Sequence, residues 1–398
     1  MPAPPPLLAT PGELAALAAQ VGAAGRLAID TEFMWERTYR PILGVVQVAT
    51  DTSTAVIDTL AVKDLSPLFP LLRDPKVPVV LHGGGQDLEI FAALMGAPVR
   101  GVADTQVMAA FLGYGLQVGL TMLLERVLKV RIKKDQTYTD WTRRPLNAGQ
   151  LVYAREDVAH LLPLYDRLRA DLKTRGRTAW VEEELRALED AGRFAELPDD
   201  ERYRTVRGWQ RLGARELAVL RELAAWRERS AARANIRPNF IANDIVLTSL
   251  AARPVTSIEE LKQMRGLTAG TVDRHGKGIL AALRAGLACP PERSPEPPAR
   301  HRHKGPPPGL VALLRAAVQA VAEREDIAPE VIASGRDIDA LAAYAVDGSA
   351  LDDVVVARGW RRALVGQTLL AIARGELAMR YDAGRREVVA EAVPRGSL

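Results

Sequence analysis

The sequence has little of what several common classes of protein need. Its 398 residues contain one cysteine, Cys289, so no disulfide can form within the chain and thiol chemistry is not expected. No apolar run approaches the roughly 18 to 20 residues that span a membrane, and the N-terminus lacks the basic and apolar regions of a signal peptide. We therefore expect a cytoplasmic protein that makes no contact with a membrane.

The composition is that of a globular protein. Apolar residues make up 48% and charged residues 26% of the chain, and the length favours two or three domains. The formal net charge is +4 and the isoelectric point is about 9.2. This mild basic excess suits a polyanionic partner without requiring one.

The first part of the chain alternates short apolar runs with helical patterns. A capping box with proline at the first helical position opens a helix at Thr10. Four short runs then indicate strands: RLAID, GVVQVAT, TAVIDTL and VPVVLHG. Helical periodicity follows, including one long pattern over residues 146–176. Strands followed by helices predict an α/β domain over residues 1–190.

From residue 211 the chain is predicted to be helical and contains an internal repeat. The segments NIRPNFIANDIVLTSLAA and DIAPEVIASGRDIDALAA align without a gap at an offset of 91 residues, 327 minus 236. They predict two small all-α domains at residues 211–290 and 309–384. A connector at 191–210, a proline-rich linker at 291–308 and a tail at 385–398 complete the predicted organisation.

Two carboxylates stand at the end of a predicted buried strand, in LAIDTEF. Side chains alternate along a strand, so Asp30 and Glu32 point to the same side and Thr31 to the other. Two like charges at one point require either a shared proton or a cation between them. The alternative is a solvated strand end without chemistry.

Further acidic residues occur where α/β folds place their sites. Asp87 follows a predicted strand and a glycine-rich turn in LHGGGQDLEIF, and the absence of a following Gly-Lys-Ser/Thr argues against a phosphate-binding loop. In LVYAREDVAHLL, Tyr153 and Asp157 are four residues apart and hence share one face of a helix.

These segments carry a resemblance to a known family. DTEF with TYRPILGVVQVA, then LHGGGQDLEIF, then DWTRRPLNAGQLVYAREDVAHLLPLY resemble the three exonuclease motifs of the ribonuclease D family of DEDD exonucleases. The resemblance implies an RNase H-like α/β domain with a mixed five-stranded sheet flanked by helices. WRERSAARANIRPNFIANDIVL resembles an HRDC domain, and the second repeat is a degenerate copy.

The resemblance also implies a catalytic site with two divalent metal ions, Mg²⁺ or Mn²⁺. A set of carboxylates without a histidine or cysteine cluster suits such hard cations and argues against zinc. Val152 stands where the histidine subclass places its catalytic residue, which indicates the tyrosine subclass. A phenol with a pKa near about 10 is a poor base, so the tyrosine is expected to orient a metal-activated water. The implied metal ligands are Asp30, Glu32, Asp87 and Asp157, and the implied catalytic residues are these four and Tyr153.

Candidate substrate contacts lie near the motifs. In VRIKKDQTYTDWTRRPL, cations and aromatic rings alternate, as in sites that bind single strands, and the candidates are Lys134, Trp141 and Arg144. Phe33 and Met34 follow the acidic pair and are candidates to contact the terminal nucleotide. The alternatives are that Trp141, Phe33 and Met34 belong to the core.

A second candidate surface lies in the first repeat. Arginines crowd around Trp226 and could grip RNA, although helices often carry such charges for solubility alone. The candidates are Arg227, Arg229, Arg233 and Arg237.

The predicted function is that of a metal-dependent 3′–5′ exoribonuclease, a hydrolase that releases 5′-phosphomonoesters. The resemblance implies this direction and a substrate such as a tRNA precursor or another structured RNA. A monomer is the favoured oligomeric state. Three alternatives stay open: a DNA 3′–5′ exonuclease, a non-catalytic nucleic-acid scaffold, and a metal-independent acid/base hydrolase.

Overall fold

The computed structural model describes residues 4–132, 139–297, 306–348, 350–351 and 354–393. These residues form an N-terminal α/β domain, a first helical domain, and a second helical domain that ends in a β-hairpin. In this part of the chain no helix is both long enough and apolar enough to cross a membrane.

A mixed six-stranded sheet forms the centre of the N-terminal domain, in the order β1-β4-β3-β2-β5-β6. Strand β3 pairs antiparallel with both β2 and β4, and the other neighbouring strands are parallel. The predicted count of five is one short, because the proline-rich N-terminus adds a two-residue edge strand beside β4. The strands are β1 (Leu7–Leu8), β2 (Leu27–Met34), β3 (Ile42–Ala49), β4 (Thr54–Asp58), β5 (Val79–Leu81) and β6 (Val102–Asp104).

Helices cover both faces of this sheet. Thr10 and Glu13 form the predicted capping box at the start of the first helix. The helical pattern predicted over residues 146–176 is two helices separated at His160, because Pro163 cannot bond to the carbonyl of Ala159 and its ring would clash with that carbonyl. The helices are α1 (Pro11–Ala24), α2 (Phe69–Arg73), α3 (Gly85–Met95), α4 (Thr105–Ala110), α5 (Leu120–Leu128), α6 (Ala148–Ala159), α7 (Leu161–Thr174) and α8 (Thr178–Leu188).

The first helical domain has its own hydrophobic core. Tyr203 and Val206 belong to this core, so the second half of the predicted connector is part of the domain rather than a spacer. Short 3₁₀ turns at Arg202–Thr205 and Trp209–Arg211 lead into it. Its helices are α9 (Ala214–Ala234), α10 (Pro238–Ile241), α11 (Asp244–Ala252), α12 (Ile258–Gln263) and α13 (Ala269–Leu287).

The second helical domain repeats part of the first. Helices α15 (Pro329–Ile332) and α16 begin 91 residues after α10 and α11, as the alignment predicts (329 minus 238), and Asn235 and Asp326 both adopt positive φ at the preceding turn. The helices are α14 (Pro308–Glu325), α15, α16 (Gly335–Asp347), α17 (Gly359–Arg361) and α18 (Gln367–Ala373), with a π-helical segment at Arg362–Gly366 between the last two.

The prediction that this domain is all-helical is wrong in one element. Strands β7 (Leu377–Asp382) and β8 (Glu387–Ala392) form an antiparallel hairpin, and β8 lies in the stretch predicted as a tail. All positions of both strands are exposed or half-exposed. The strands therefore lack the alternation of buried apolar residues that would indicate them in the sequence.

The second helical domain shares a core with the N-terminal domain. Buried residues of α4, α5, α7 and α8 form one continuous cluster with those of α14, α16 and α18. Trp180 stacks on Trp360 with ring centroids 5.1 Å apart. The buried Arg177 guanidinium donates a hydrogen bond to the carbonyl of Phe111 at 2.7 Å and another to the carbonyl of Glu325. The two domains therefore form one packed unit.

The first helical domain contacts the N-terminal domain through the β2–β3 loop. Tyr39 packs on its core and donates a hydrogen bond from its hydroxyl to Glu228 at 2.8 Å. Burial and the bond to Glu228 raise the pKa of Tyr39 to about 12. The amide of Arg237 donates to the carbonyl of Arg37 at 3.2 Å. This loop begins immediately after β2, so one strand joins the acidic motif to the domain contact.

Candidate active site

Three carboxylates converge above the sheet. Asp30 and Glu32 leave the same face of β2, and Asp157 approaches from α6, which packs on β2, β3 and β4. One carboxylate oxygen of each residue lies within 4.8 Å of those of the other two. Three negative charges so close repel one another unless cations or protons intervene. Because every ligand is a carboxylate, the donor set fits a hard divalent cation.

Helix α6 also brings Tyr153 to this place. Asn147 caps the helix, and its side chain and that of Gln150 form a reciprocal capping box. Tyr153 is 5% exposed, and its ring packs on Trp141 with centroids 5.9 Å apart. Tyr153 and Asp157 lie one turn apart on the face of α6 that meets the sheet. The packing fixes the tyrosine ring beside the carboxylates.

Asp87 lies outside the group of three. It is in the first turn of α3, and its carboxylate accepts a hydrogen bond from the hydroxyl of Thr31, which leaves β2 on the face opposite Asp30. Burial raises the pKa of Asp87, the nearby Asp104 carboxylate adds to this, and the Thr31 bond opposes it. The structure thus brings three of the four predicted metal ligands together and places Asp87 behind the strand that carries two of them.

A glycine turn sets the start of α3. Gly83 has a φ of +65°, which favours glycine, and a Cβ atom at Gly84 would lie 2.7 Å from a methyl group of Leu81. The amides of Gly83 and Gly84 donate to the Asp104 carboxylate at 2.9 and 3.1 Å. Asp104 also caps α4, so this buried aspartate holds the turn that presents Asp87. Asp104 was not identified from the sequence.

Two predicted substrate contacts prove to be structural. Trp141 is 1% exposed and lies in a cluster with Val45 and Tyr153, so it cannot stack on a base and the core alternative is correct. Arg144 uses all five N–H groups within the protein: it pairs with Asp58 at 2.7 Å and donates to the carbonyls of Gly44, Trp141 and Arg143. No donor is left on Arg144 for a phosphate.

The other predicted contacts near the motifs have different outcomes. Phe33 and Met34 are half-buried at the end of β2. Phe33 lines an apolar cavity of about 100 Å³ together with Trp35 and Ile90. Lys134 lies outside the described residues.

The four arginines of the first repeat differ in their surroundings. Arg227 is 5% exposed and pairs with Asp244 at 2.8 Å, so it supports the domain core and is not a surface contact for RNA. Arg229 is exposed and pairs with Asp199. Arg233 is exposed, and Arg237 lies over the ring of Trp35 at 5.8 Å from its centroid. The error for Arg227 arises because the sequence does not show which face of α9 is buried.

A cavity of about 690 Å³ separates the N-terminal domain from the first helical domain. Trp35 and Arg237 line it from opposite domains, and Glu89 and Phe194 add to its wall. Trp35 donates from its indole nitrogen to the carbonyl of Tyr39 at 3.2 Å. Trp35 was not singled out from the sequence, although an aromatic residue three positions after a catalytic acid is a usable signal.

Comparisons with known proteins show which families the chain resembles. Residues 7–173 match a family model described as 3′–5′ exonuclease, and residues 216–283 match a model of the HRDC domain. A ribonuclease D of Granulibacter bethesdensis is 40% identical over 389 residues, covering 95% of each chain. One of Gluconacetobacter diazotrophicus is 37% identical over 388 residues, covering 96% of each.

A solved structure extends the similarity to three dimensions. The crystal structure of Escherichia coli RNase D, described as an exoribonuclease involved in structured RNA processing, has a TM-score of 0.84 and 30% identity, covering 93% of this chain and 99% of that one. The fold and the acidic site define an RNase H-like 3′–5′ exonuclease with an HRDC domain. The chain belongs to the ribonuclease D family. It is accordingly a hydrolase, an exoribonuclease.

Proposed function

We propose that the protein removes nucleotides from the 3′ ends of structured RNAs, such as tRNA precursors, by hydrolysis that depends on two divalent ions, Mg²⁺ or Mn²⁺. The observation that carries this proposal is the convergence of Asp30, Glu32 and Asp157 beside Tyr153. The proposal includes action in the cytoplasm as a monomer. The similarity to E. coli RNase D, an exoribonuclease involved in structured RNA processing, supports the substrate class.

The carboxylates would hold the ions. Asp30, Glu32 and Asp157 are placed to ligate directly, and Asp87 would act from behind β2, through water or through its bond to Thr31. Divalent ions held by these residues would supply charge stabilisation for the attacking and leaving oxygens and would make water a better nucleophile. Without cations, the charge of the three acids would repel the phosphate at the scissile end of the RNA.

Tyr153 would orient the nucleophilic water. Its ring is held by Trp141 and the surrounding apolar cluster, one helical turn from Asp157, so its hydroxyl group has a fixed position. A hydroxyl in a fixed position can accept or donate a hydrogen bond with little loss of entropy. This role needs no ionised phenolate.

Phe33 and Met34 would contact the terminal nucleotide, since both follow Glu32 on β2 and remain partly exposed. Upstream nucleotides would meet the cavity between the domains, where Arg237 over Trp35 offers a cation and an aromatic face. Arg233 is exposed on α9 and would contact phosphate.

One assay tests chemistry, direction and metal use together. RNA labelled at the 5′ end or at the 3′ end is incubated with Mg²⁺, Mn²⁺ or EDTA, next to DNA of the same sequence. We expect a ladder of shortened products from the 5′-labelled RNA, single labelled nucleotides from the 3′-labelled RNA, and no product in EDTA. Activity in EDTA would contradict the metal-dependent mechanism, and faster degradation of the DNA would contradict the proposed substrate.

A further inference from the structure

A buried amide lies beside the acidic cluster and has no role in the proposed hydrolysis. Gln47 is on β3, directly opposite Asp30 of β2 in the antiparallel register. Residues paired in this way point to the same face of the sheet, with Cβ atoms roughly 4.5–5.5 Å apart. Gln47 therefore belongs to the face on which Asp30, Glu32 and Asp157 converge.

The amide of Gln47 has no hydrogen-bond partner among the described residues. The side chain is 0% exposed, and both Nε2 and Oε1 are buried and unpaired. Burying two unpaired polar atoms in the middle of a sheet is unfavourable, and a residue of the same shape without them would pack more stably. Gln47 thus lowers the stability of the fold, and the packing of the sheet gives no reason for a polar side chain at this position.

Among the neighbours of Gln47 in the sheet, one has a charged side chain that can accept a hydrogen bond. Val45 and Ala49 flank it on the same face of β3, Val56 faces it from β4, and all three are buried and apolar. Asp30 faces it from β2. Helix α6 covers this face, so water is excluded from the amide.

We propose that Gln47 is a positioning residue for Asp30: its Nε2 group donates a hydrogen bond to the Asp30 carboxylate when that carboxylate ligates a divalent cation. The inference rests on the proposed metal-dependent function. A change of rotamer is sufficient, because a glutamine side chain spans the distance between paired residues of neighbouring strands. The bond would hold one carboxylate oxygen so that the other faces Glu32 and Asp157. It would also satisfy the buried amide.

The substitution Gln47→Met tests this role, because methionine has a similar length and shape and no donor. Calorimetric titration with Mn²⁺ in the absence of RNA should show an affinity lower by about 10-fold, as is typical when a group that orients a metal ligand is removed. In the RNA assay kcat should fall by about 10-fold or more with the KM for RNA unchanged, because the amide is buried away from substrate.

The melting temperature of the metal-free protein separates positioning from packing. It should be unchanged or higher in Gln47→Met, since the substitution removes two unpaired polar atoms. Gln319→Met is the matched control: Gln319 is exposed on α14, and its amide donates a hydrogen bond to Glu323 at 2.8 Å. All three measurements should match those of the unaltered protein in this control.

Two results would overturn the inference. One is Mn²⁺ affinity and turnover in Gln47→Met equal to those of the unaltered protein; the other is a melting temperature lowered by more than about 5 °C, which would assign Gln47 to packing. The Mn²⁺ titration needs no turnover, so it reports on Gln47 even where RNA is not degraded. Lack of metal-dependent degradation by the unaltered protein would instead refute the proposed function.

Discussion

Thr31 and Asp87 are joined by a hydrogen bond on the face of β2 that is opposite to Asp30 and Glu32. A single strand therefore presents two carboxylates on one side and fixes a third acid from the other side. The bond is buried, and its donor is the residue between the two acids of the motif. A displacement of Asp87 would therefore also move Thr31 and the part of β2 that carries Asp30 and Glu32.

Replacing Thr31 with valine keeps the shape and removes the hydroxyl. We expect the free energy of unfolding to fall by about 1–2 kcal/mol, because the buried Asp87 carboxylate loses a donor. Chemical denaturation measures this change. Thr31→Ser retains the donor and is the control; equal stability of the valine and serine variants would contradict the prediction.

The acids differ in their placement, and the loss of each should differ accordingly. Asp30→Asn and Asp157→Asn should weaken Mn²⁺ binding by at least about 100-fold, whereas Asp87→Asn, outside the group of three, should weaken it less. Calorimetric titration measures the affinities. An equal loss for all three variants would show that Asp87 ligates as directly as the others.

Tyr153 should affect turnover and leave metal binding intact. We expect Tyr153→Phe to lower kcat by about 100-fold, because the ring stays packed on Trp141 while the hydroxyl is lost. Single-turnover assays at saturating Mn²⁺ measure the change. Unchanged turnover would exclude the proposed orientation of water, and a lowered Mn²⁺ affinity would assign the residue to the metal site instead.

Asp58 and Arg144 should contribute stability that depends on pH. Burial alone would raise the pKa of Asp58, but the two hydrogen bonds and the charge of Arg144 hold it below its usual value. A carboxyl with a lowered folded pKa stabilises the protein above its unfolded pKa, about 3.9, and this contribution is lost as the pH falls through the folded value. Denaturation of Asp58→Asn should therefore show a deficit at pH 7 that shrinks below about pH 4. A deficit that does not change with pH would contradict this.

The arginines in and just after α9 should differ in their roles, one in stability and two in RNA binding. Arg227→Gln should lower the free energy of unfolding by about 2 kcal/mol, because the Ala242 carbonyl and one oxygen of Asp244 lose the guanidinium donor. The double variant Arg233→Gln, Arg237→Gln should keep its stability and bind RNA with a salt dependence reduced by about one to two units of slope. Melting curves measure the effect on stability, and RNA binding over a range of salt concentrations measures the effect on phosphate contacts. A destabilised double variant would contradict the assignment.

Much of the site followed from the sequence because its signals are local. The alternation of Asp30 and Glu32 on one strand face and the four-residue spacing of Tyr153 and Asp157 require only the geometry of single elements. Trp141 and Arg144 were misplaced for the opposite reason. An arginine or a tryptophan in a loop has the same local pattern whether it meets RNA or a buried partner, and the partners, Asp58 and Val45, are far away in the chain.

The same distinction applies to the fold. The repeat at an offset of 91 residues predicted α10, α11, α15 and α16, because the caps and turns recur with it. The hairpin β7–β8 was missed because its polar strands pair with each other at an edge and bury little. The shared core of the first and last domains depends on contacts between distant residues such as Trp180 and Trp360.

That shared core makes the folding unit discontinuous in the chain, with the first helical domain inserted within it. During synthesis, helices α4, α5, α7 and α8 leave the ribosome long before the residues of α14 to α18 that cover them. Their apolar surface stays uncovered until more than a hundred intervening residues have been synthesised (307 minus 188 is 119). Shortened chains that end before the second helical domain would thus be poor nucleases for lack of a stable scaffold, even with every catalytic acid present.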